Sequence, residues 1–312
     1  MDILVTGGAG FIGSHVLEKL QKVSEQSAED IKVVVLDDLS NGSREHVPSG
    51  MELVVGDVRN RNVVEDVFSR HHFSAVIHLA AQTMVPVSVE NPLLDCQVNL
   101  GGILHILEAC RKWQVPHVLF SSSAAVYGDN LHIPLKESEP LCPMSPYGIT
   151  KMTTEQYMRV YHELYGLDAT VFRFANVYGE RQGEKGEGGV VSIFCKLLSK
   201  GSPITVYGDG NQTRDFVYAG DIASAIVQAL PLTGYHTINV STGTETSIND
   251  LIRSFERAIG HKAEVQYAPP RPGDIQCSVL SNKELIQTLH IKPEVTMEQG
   301  IARTYTWYKH SM

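Results

Sequence analysis

The sequence predicts an α/β fold built on a doubly wound parallel sheet, with a smaller α+β domain interleaved into it. Three observations point there. Six short β-rich runs alternate with helix-length stretches through the first half of the chain. Each run is apolar on both faces, as a strand buried between two helical layers must be. A glycine-rich turn joins the first run to the first helical stretch, where sheets of this kind bind ligands.

In chain order, "ILVTG" (3–7), "KVVVLD" (32–37), "ELVVG" (52–56), "AVIHLA" (75–80), "HVLFSS" (117–122) and "ATVFRFA" (169–175) read as strands. Helical stretches lie between them near 11–23, 60–71, 93–113 and 146–166. Repeated β-α units imply right-handed crossovers. After Asn176 the rhythm loosens. The segment "GERQGEKGEGG" (179–189) suits a mobile loop over a cleft or a plain surface excursion. A helix (190–200), the strand "ITVYG", the turn "DGNQ", the strand "RDFVY" and a helix (219–230) follow. The run "HTINV" (236–240) is placed to rejoin the main sheet. Residues 1–176 are therefore assigned to one domain and 177–312 to the smaller one, with the sheet rejoined by about 214–240.

Composition narrows the function. A chain of 312 residues with 43% hydrophobic and 20% charged residues is an ordinary globular protein. Its net charge of −9 argues against a nucleic-acid binder, which needs a basic face. An anionic ligand has to be held by local arginines and helix N-termini. The five cysteines, at 96, 110, 142, 195 and 277, show no Cys-x-x-Cys spacing. That favours free thiols in a reducing cytoplasm over disulfides or a zinc site. No apolar run reaches membrane length, the chain opens directly on a strand with no cleavable signal expected, and the scattered histidines suggest no metal.

In "VTGGAGFIGSHV", Gly7, Gly10 and Gly13 follow a Gly-x-x-Gly-x-x-Gly spacing. Missing side chains let the backbone approach a pyrophosphate whose charge meets a helix N-terminus. Strand before and helix after are the context a dinucleotide fingerprint requires. Asp37 ends the second strand, 24 positions beyond Gly13, where a carboxylate accepts hydrogen bonds from the adenosine ribose. A carboxylate there repels a 2′-phosphate, so NAD is favoured over NADP. Asp57 ends the third strand, either beside the adenine amino group or as a loop cap.

"SPYGITK" poses a separate question. Ser145 and Pro146 suit a helix start, and Tyr147 and Lys151, four residues apart, share a helical face. Alone, the pair is as compatible with an ordinary helix as with proton transfer. Together, "TGGAGFIG", "LFSSSAAVYG" and "SPYGITK" give the chain a resemblance to the extended short-chain dehydrogenase/reductase family, and within it to the UDP-galactose (UDP-glucose) 4-epimerases.

The resemblance implies a Rossmann-type dinucleotide domain, bound NAD, a smaller substrate domain and a catalytic set of Ser123, Tyr147 and Lys151. It adds Phe11, Ile12, Asn41, Val58, Leu79, Ala80, Ala81, Asn99 and Ser121 to the cofactor contacts, Asn99 having a helix-packing alternative. A free tyrosine titrates near ~10, so a basic role at neutral pH needs a lowering of ~2–3 units, roughly 3–4 kcal/mol. Lys151 and a positive nicotinamide are the expected sources of that field. The resemblance also places Asn176, Arg214, Arg271 and Asp274 on the nucleotide diphosphate and ribose. Without it, each arginine reads as a solvated surface charge. Ser278 stands where some relatives have a tyrosine that narrows the sugar pocket, so room for a 2-N-acetyl group is expected.

Related dehydratases carry an acidic residue before "VYG", where this chain has Ala124 and Ala125. Reversible oxidation at C4 through a 4-keto sugar is then the simplest outcome. A dTDP-hexose or UDP-uronate 4-epimerase, a dehydratase or reductase, and a non-catalytic dinucleotide sensor are the rivals. The resemblance further implies a homodimer through a four-helix bundle of 93–113 and 146–166.

Overall fold

The computed structural model describes residues 1–26, 30–183, 188–270 and 275–311. The strands are β1 (Asp2–Thr6), β2 (Lys32–Asp37), β3 (Glu52–Val55), β4 (Ala75–His78), β5 (His117–Ser123), β6 (Asp168–Phe174), β7 (Asn176–Tyr178), β8 (Ile204–Tyr207), β9 (Thr213–Arg214), β10 (Phe216–Tyr218), β11 (Tyr235–Val240), β12 (Thr246–Ser247), β13 (Val265–Ala268) and β14 (Cys277–Ser278). The helices are α1 (Phe11–Gln26), α2 (Arg61–Arg70), α3 (Val85–Glu90), α4 (Pro92–Cys96), α5 (Gly102–Trp113), α6 (Pro146–Tyr165), α7 (Val190–Ser199), α8 (Ala219–Gln228), α9 (Ile248–Ile259), α10 (Lys283–Leu289) and α11 (Met297–Ser311).

Seven strands form one parallel sheet in the order β11-β6-β5-β4-β1-β2-β3. The order reverses at β1, so the crevice between the C-terminal ends of β1 and β4 is the switch point where doubly wound sheets bind ligands. Alternate residues of each strand feed opposite faces. Ile3 and Val5 pack with Leu17 and Ile226, on the side of α1 and α8. Leu4 and Val34 pack with Phe68, Ile106 and Met158, on the side of α2, α5 and α6. A third cluster, with Phe194, Phe255 and Tyr308, sits among α7, α9 and α11.

The run 236–240 rejoins the sheet as expected, and β11 supplies its seventh strand by parallel pairing with β6. Asn239 of β11 also fastens the long segment after β5. Its Oδ1 accepts from Tyr127 Oη at 2.7 Å, its amide N–H donates to Glu137 Oε1 at 2.8 Å, and its Nδ2 donates to Leu135 O at 3.0 Å.

Three expectations are corrected. The stretch 93–113 is not one α-helix: a π-helical turn at Gln97–Gly101 separates α4 from α5. "RDFVY" is two strands, because the carboxylate of Asp215 turns inward to accept from Thr242 N, Thr242 Oγ1 and Gly243 N, sending β9 and β10 to different sheets. "AVIHLA" ends as a strand at His78, for a reason given below. The Gly-rich loop (179–189) is described only in part, since 184–187 fall outside the described residues, as do Arg271 and Asp274. Among the described residues no helix is long and apolar enough to cross a membrane.

Candidate active site

The glycine loop is built by exclusion. Gly7 has φ +70°, and a Cβ on it would lie 2.6 Å from Ala80 N. A Cβ on Gly13 would lie 2.1 Å from Gly7 O. A Cβ on Gly10 would meet only Gly7 O, at 3.3 Å, so Gly10 faces the crevice and not packed protein. Asp37 clamps this loop: its Oδ2 accepts from Ala9 N at 2.9 Å and its Oδ1 from Leu39 N at 2.8 Å. Phe11 and Ile12 are half-buried at the start of α1, and Asn41 is exposed beside the loop. The bare loop at a helix N-terminus, with a buried carboxylate ending β2, fits the expected dinucleotide.

Across the switch point, Leu79 N donates to Thr6 O at 3.0 Å and Ala80 N to Thr6 Oγ1 at 3.3 Å. The first is the last rung of the β1–β4 ladder; the second takes Ala80 N out of it to a side chain, so that Leu79 and Ala80 lie against Gly7, with Ala81 half-buried beyond. His78 is buried, with its Nδ1 2.8 Å from Thr6 Oγ1. Burial, then the Lys151 charge, takes its pKa down to about 3, so the ring is neutral. Asp57 is engaged by Arg59, whose Nε lies 2.8 Å from Oδ2, and this hydrogen bonding holds the carboxyl below its ordinary range. Its side chain thus serves the loop. Val58 beside it is buried under Gly102 of α5.

The same contacts lead on to the tyrosine. Ser121 Oγ donates to His78 O at 3.3 Å, and Lys151 Nζ donates to Ser121 O at 2.7 Å. Ser145 caps α6 by accepting from Gly148 N at 3.1 Å, which fixes where Tyr147 leaves the helix. Lys151 is buried, with its Nζ 4.8 Å from the Phe120 ring centroid and 5.7 Å from that of Tyr147. Tyr147 is half-buried, with Ser123 near enough to draw its titration down. Glycine loop, Ser123, Tyr147 and Lys151 are therefore gathered at the C-terminal ends of β1, β4 and β5.

The electrostatics differ from the expectation. Burial pushes Tyr147 up to about 12; Ser123 pulls the other way, and Asp95 adds to the rise. Burial brings Lys151 down to about 8, with Asp95 and Glu155 opposing it. The protein's own groups thus leave the proton on the tyrosine. The expected lowering by Lys151 is not delivered by the polypeptide alone.

Several partners have no counterpart in the sequence reading. Asn99 is buried; its Nδ2 donates to Gln82 O and Asp95 Oδ1, and its Oδ1 accepts from Gln82 N at 2.8 Å. These bonds tie Asn99 to the backbone at Gln82 and to Asp95 of α4. Glu155 and Arg173 form a buried ion pair at 2.7 Å, and Ser122 Oγ donates to Glu155 Oε1 at 2.5 Å.

In the second half of the chain, Ser278 pairs across strands with Arg214, and Asn176 pairs with Phe216 two positions on. Asn176 is exposed, and Arg214 and Ser278 are half-buried. Among the described residues no group of three or more His, Cys, Asp or Glu is arranged to hold a metal ion.

Comparisons with known proteins agree with this layout. A model of the NAD dependent epimerase/dehydratase family matches residues 3–241. The UDP-glucose 4-epimerase of Mycolicibacterium smegmatis is 38% identical over 317 residues, covering 99% of each chain. The crystal structure of Thermus thermophilus UDP-glucose 4-epimerase in complex with NAD gives a TM-score of 0.92 at 41% identity, covering 100% of both chains. The UDP-N-acetylglucosamine 4-epimerase of Methanobrevibacter ruminantium M1, in complex with UDP-N-acetylmuramic acid, gives 0.92 at 35% identity, covering 100% of this chain and 99% of that one.

Proposed function

We propose that this chain, which belongs to the NAD dependent epimerase/dehydratase family, inverts C4 of UDP-glucose and UDP-galactose and accepts their 2-N-acetyl counterparts. It is a UDP-sugar 4-epimerase and its cofactor is NAD. The sugar, and the work of each residue, are the proposal. The observation that carries it is the gathering of these side chains at the ends of β4 and β5, with Ser123 beside Tyr147 and Lys151 anchored on Ser121 O.

In this reading NAD supplies the hydride acceptor and donor, together with a positive charge. Tyr147 Oη takes the proton of the C4 hydroxyl, relayed by Ser123, and returns it after the 4-keto sugar has turned over. Lys151 supplies the ammonium that stabilises the developing phenolate. Gly7, Gly10 and Gly13 admit the pyrophosphate of the cofactor, and Asp37 selects the unphosphorylated ribose. Phe11, Ile12, Asn41, Val58, Leu79, Ala80, Ala81, Asn99 and Ser121 line its path.

Arg214, with Asn176, holds the diphosphate of the nucleotide sugar, so the sugar can turn while the nucleotide stays fixed. Arg271 and Asp274 are proposed for the same end of the substrate on the resemblance alone. The small Ser278 beside Arg214 supports entry of an N-acetyl group. A homodimer is part of this reading. Its bundle draws on α3, α4 and α6, where Val89, Leu93, Ile149, Val160 and Leu164 expose apolar side chains. The apolar residues of α5, including Ile103, Ile106 and Leu107, are buried within the subunit. A reducing cytoplasm suits the five free cysteines.

The test is incubation of the purified protein, without added NAD, with UDP-glucose, UDP-N-acetylglucosamine, UDP-glucuronate and dTDP-glucose, with products identified by NMR. Interconversion of both UDP-glucose and UDP-N-acetylglucosamine is the expected result. Turnover confined to UDP-glucuronate or dTDP-glucose overturns the choice of substrate.

A further inference from the structure

A buried carboxylate beside the crevice has no role in the reading above. Asp95, in α4, is 0% exposed. Among the described residues no lysine, arginine or histidine forms an ion pair with it. Its Oδ1 accepts from Gln82 Nε2 at 2.7 Å and from Asn99 Nδ2 at 3.0 Å, and its Oδ2 accepts from Thr150 Oγ1 at 2.9 Å. An ionised carboxylate is not kept in such a place without compensation. Thr150 is the residue before Lys151 and three after Tyr147, and its hydroxyl oxygen lies 2.9 Å from Tyr147 O, the other acceptor within reach of its one proton. Asp95 is thus joined by one side chain to the turn of α6 that carries both proton-handling groups.

The charges around Lys151 make Asp95 distinctive. From α6 come Tyr147 and Glu155, from β4 the neutral His78, and from α4 Asp95. Glu155 is already neutralised by Arg173 at 2.7 Å. Asp95, by contrast, acts on the buried ammonium with no ion-pair partner among the described residues. The π-helical turn at Gln97–Gly101, a feature often found at functional sites, directs Asn99 inward onto it.

We propose that Asp95 is a positioning residue for the epimerase reaction: held by Gln82, Asn99 and Thr150, it is the distant counter-charge that keeps Lys151 an ammonium and sets the pH at which Tyr147 gives up its proton. The proposal rests on the assignment of Tyr147 and Lys151 above. One negative charge favours the cation and disfavours the phenolate, so its removal lowers both titrations together. Such a group places the working pH range; it does not add rate.

Asp95→Asn removes the charge while keeping the hydrogen bonds. The amide oxygen takes the bonds from Gln82 and Asn99, and the new NH2 donates to Thr150 Oγ1, whose single proton then turns to Tyr147 O, 2.9 Å away. In the NAD-containing protein, kcat/KM for C4 epimerisation against pH should move bodily to lower pH, both limbs by roughly half to one unit. Thr150→Val cuts the hydrogen-bonded link but keeps the charge, so its limbs should stay in place even if turnover falls. A folded Asp95→Asn protein whose limbs coincide with those of the parent overturns the proposal. So does a Thr150→Val protein whose limbs shift as far as expected for loss of the charge, and that second result can be read even if Asp95→Asn does not fold. A parent protein with no epimerase turnover at any pH refutes the underlying reading instead, so the two failures are separable.

Discussion

Two glycines of the nucleotide loop, Gly13 and Gly10, should behave differently when each is given a methyl group. A Cβ on Gly13 meets Gly7 O at 2.1 Å and Gly8 Cα at 2.6 Å, so the backbone has to open by on the order of 1 Å. Overpacking of that kind costs about 1–3 kcal/mol or more, and Gly13→Ala should melt several degrees lower as well as lose NAD. Gly10 differs. Its Cβ meets the protein only at 3.3 Å, which a shift of a few tenths of an ångström relieves. The gain from a stiffer unfolded chain, about 0.4–1 kcal/mol, offsets much of that cost. Gly10→Ala should therefore fold and melt within a few degrees of the parent protein while its methyl fills the space meant for the pyrophosphate. Loss of one charge-assisted hydrogen bond costs about 1.5–3 kcal/mol, a weakening of roughly ten- to 150-fold in Kd. The assay is NAD content after purification, with Kd by calorimetry and Tm on the same samples. Undiminished NAD in Gly10→Ala refutes the placement of the pyrophosphate; unchanged stability in Gly13→Ala refutes the packing argument.

Tyr147→Phe should retain NAD and lose epimerase turnover by orders of magnitude, as judged by NMR of the product mixture; retained turnover removes Tyr147 from the mechanism. Glu155→Gln leaves Arg173 buried without its counter-charge and should cost about 3–5 kcal/mol in denaturant unfolding, so a loss under 1 kcal/mol contradicts the buried-pair argument. His78 is neutral when folded, with a pKa near 3, but titrates at its ordinary 6.5 when unfolded. The unfolded chain gains that proton first, so stability falls as pH drops from 6.5 toward 3, by on the order of 3–5 kcal/mol from this group. His78→Asn, which can keep the bond to Thr6, should flatten the pH dependence in that window, and an unchanged slope sinks the assignment.

The main sheet is legible in the sequence because its strands are apolar on both faces and so stand out without any long-range information. "ATVFRFA" reads as a strand at 169–175 and is found at Asp168–Phe174. Arg173 inside that run gives no hint of its partner, since Glu155 lies on a helix 18 positions earlier and only the folded chain brings them together. Ser123, Tyr147 and Lys151 are legible through the resemblance, with helical spacing as a weak hint. Asp95 is not. In "LLDCQVN" it looks like one polar residue on an amphipathic helix, and no local pattern announces the π-helical turn beside it. The loosened second half is the least legible, because strands of two and three residues such as β9 and β10 carry too little periodicity to show where Asp215 breaks them apart.

The return of β11 to the main sheet bears on how proteins of this design can be recombined. The strand that completes the dinucleotide platform is encoded more than fifty residues after Asn176, and its Asn239 fastens the segment that follows Ser123. A chimera cut after residue 176 would therefore leave β6 as a bare edge and free the span bearing Tyr127 and Leu135. A donor of new sugar preference has to bring its own copy of that last strand, or be stitched in as two separate inserts on either side of it.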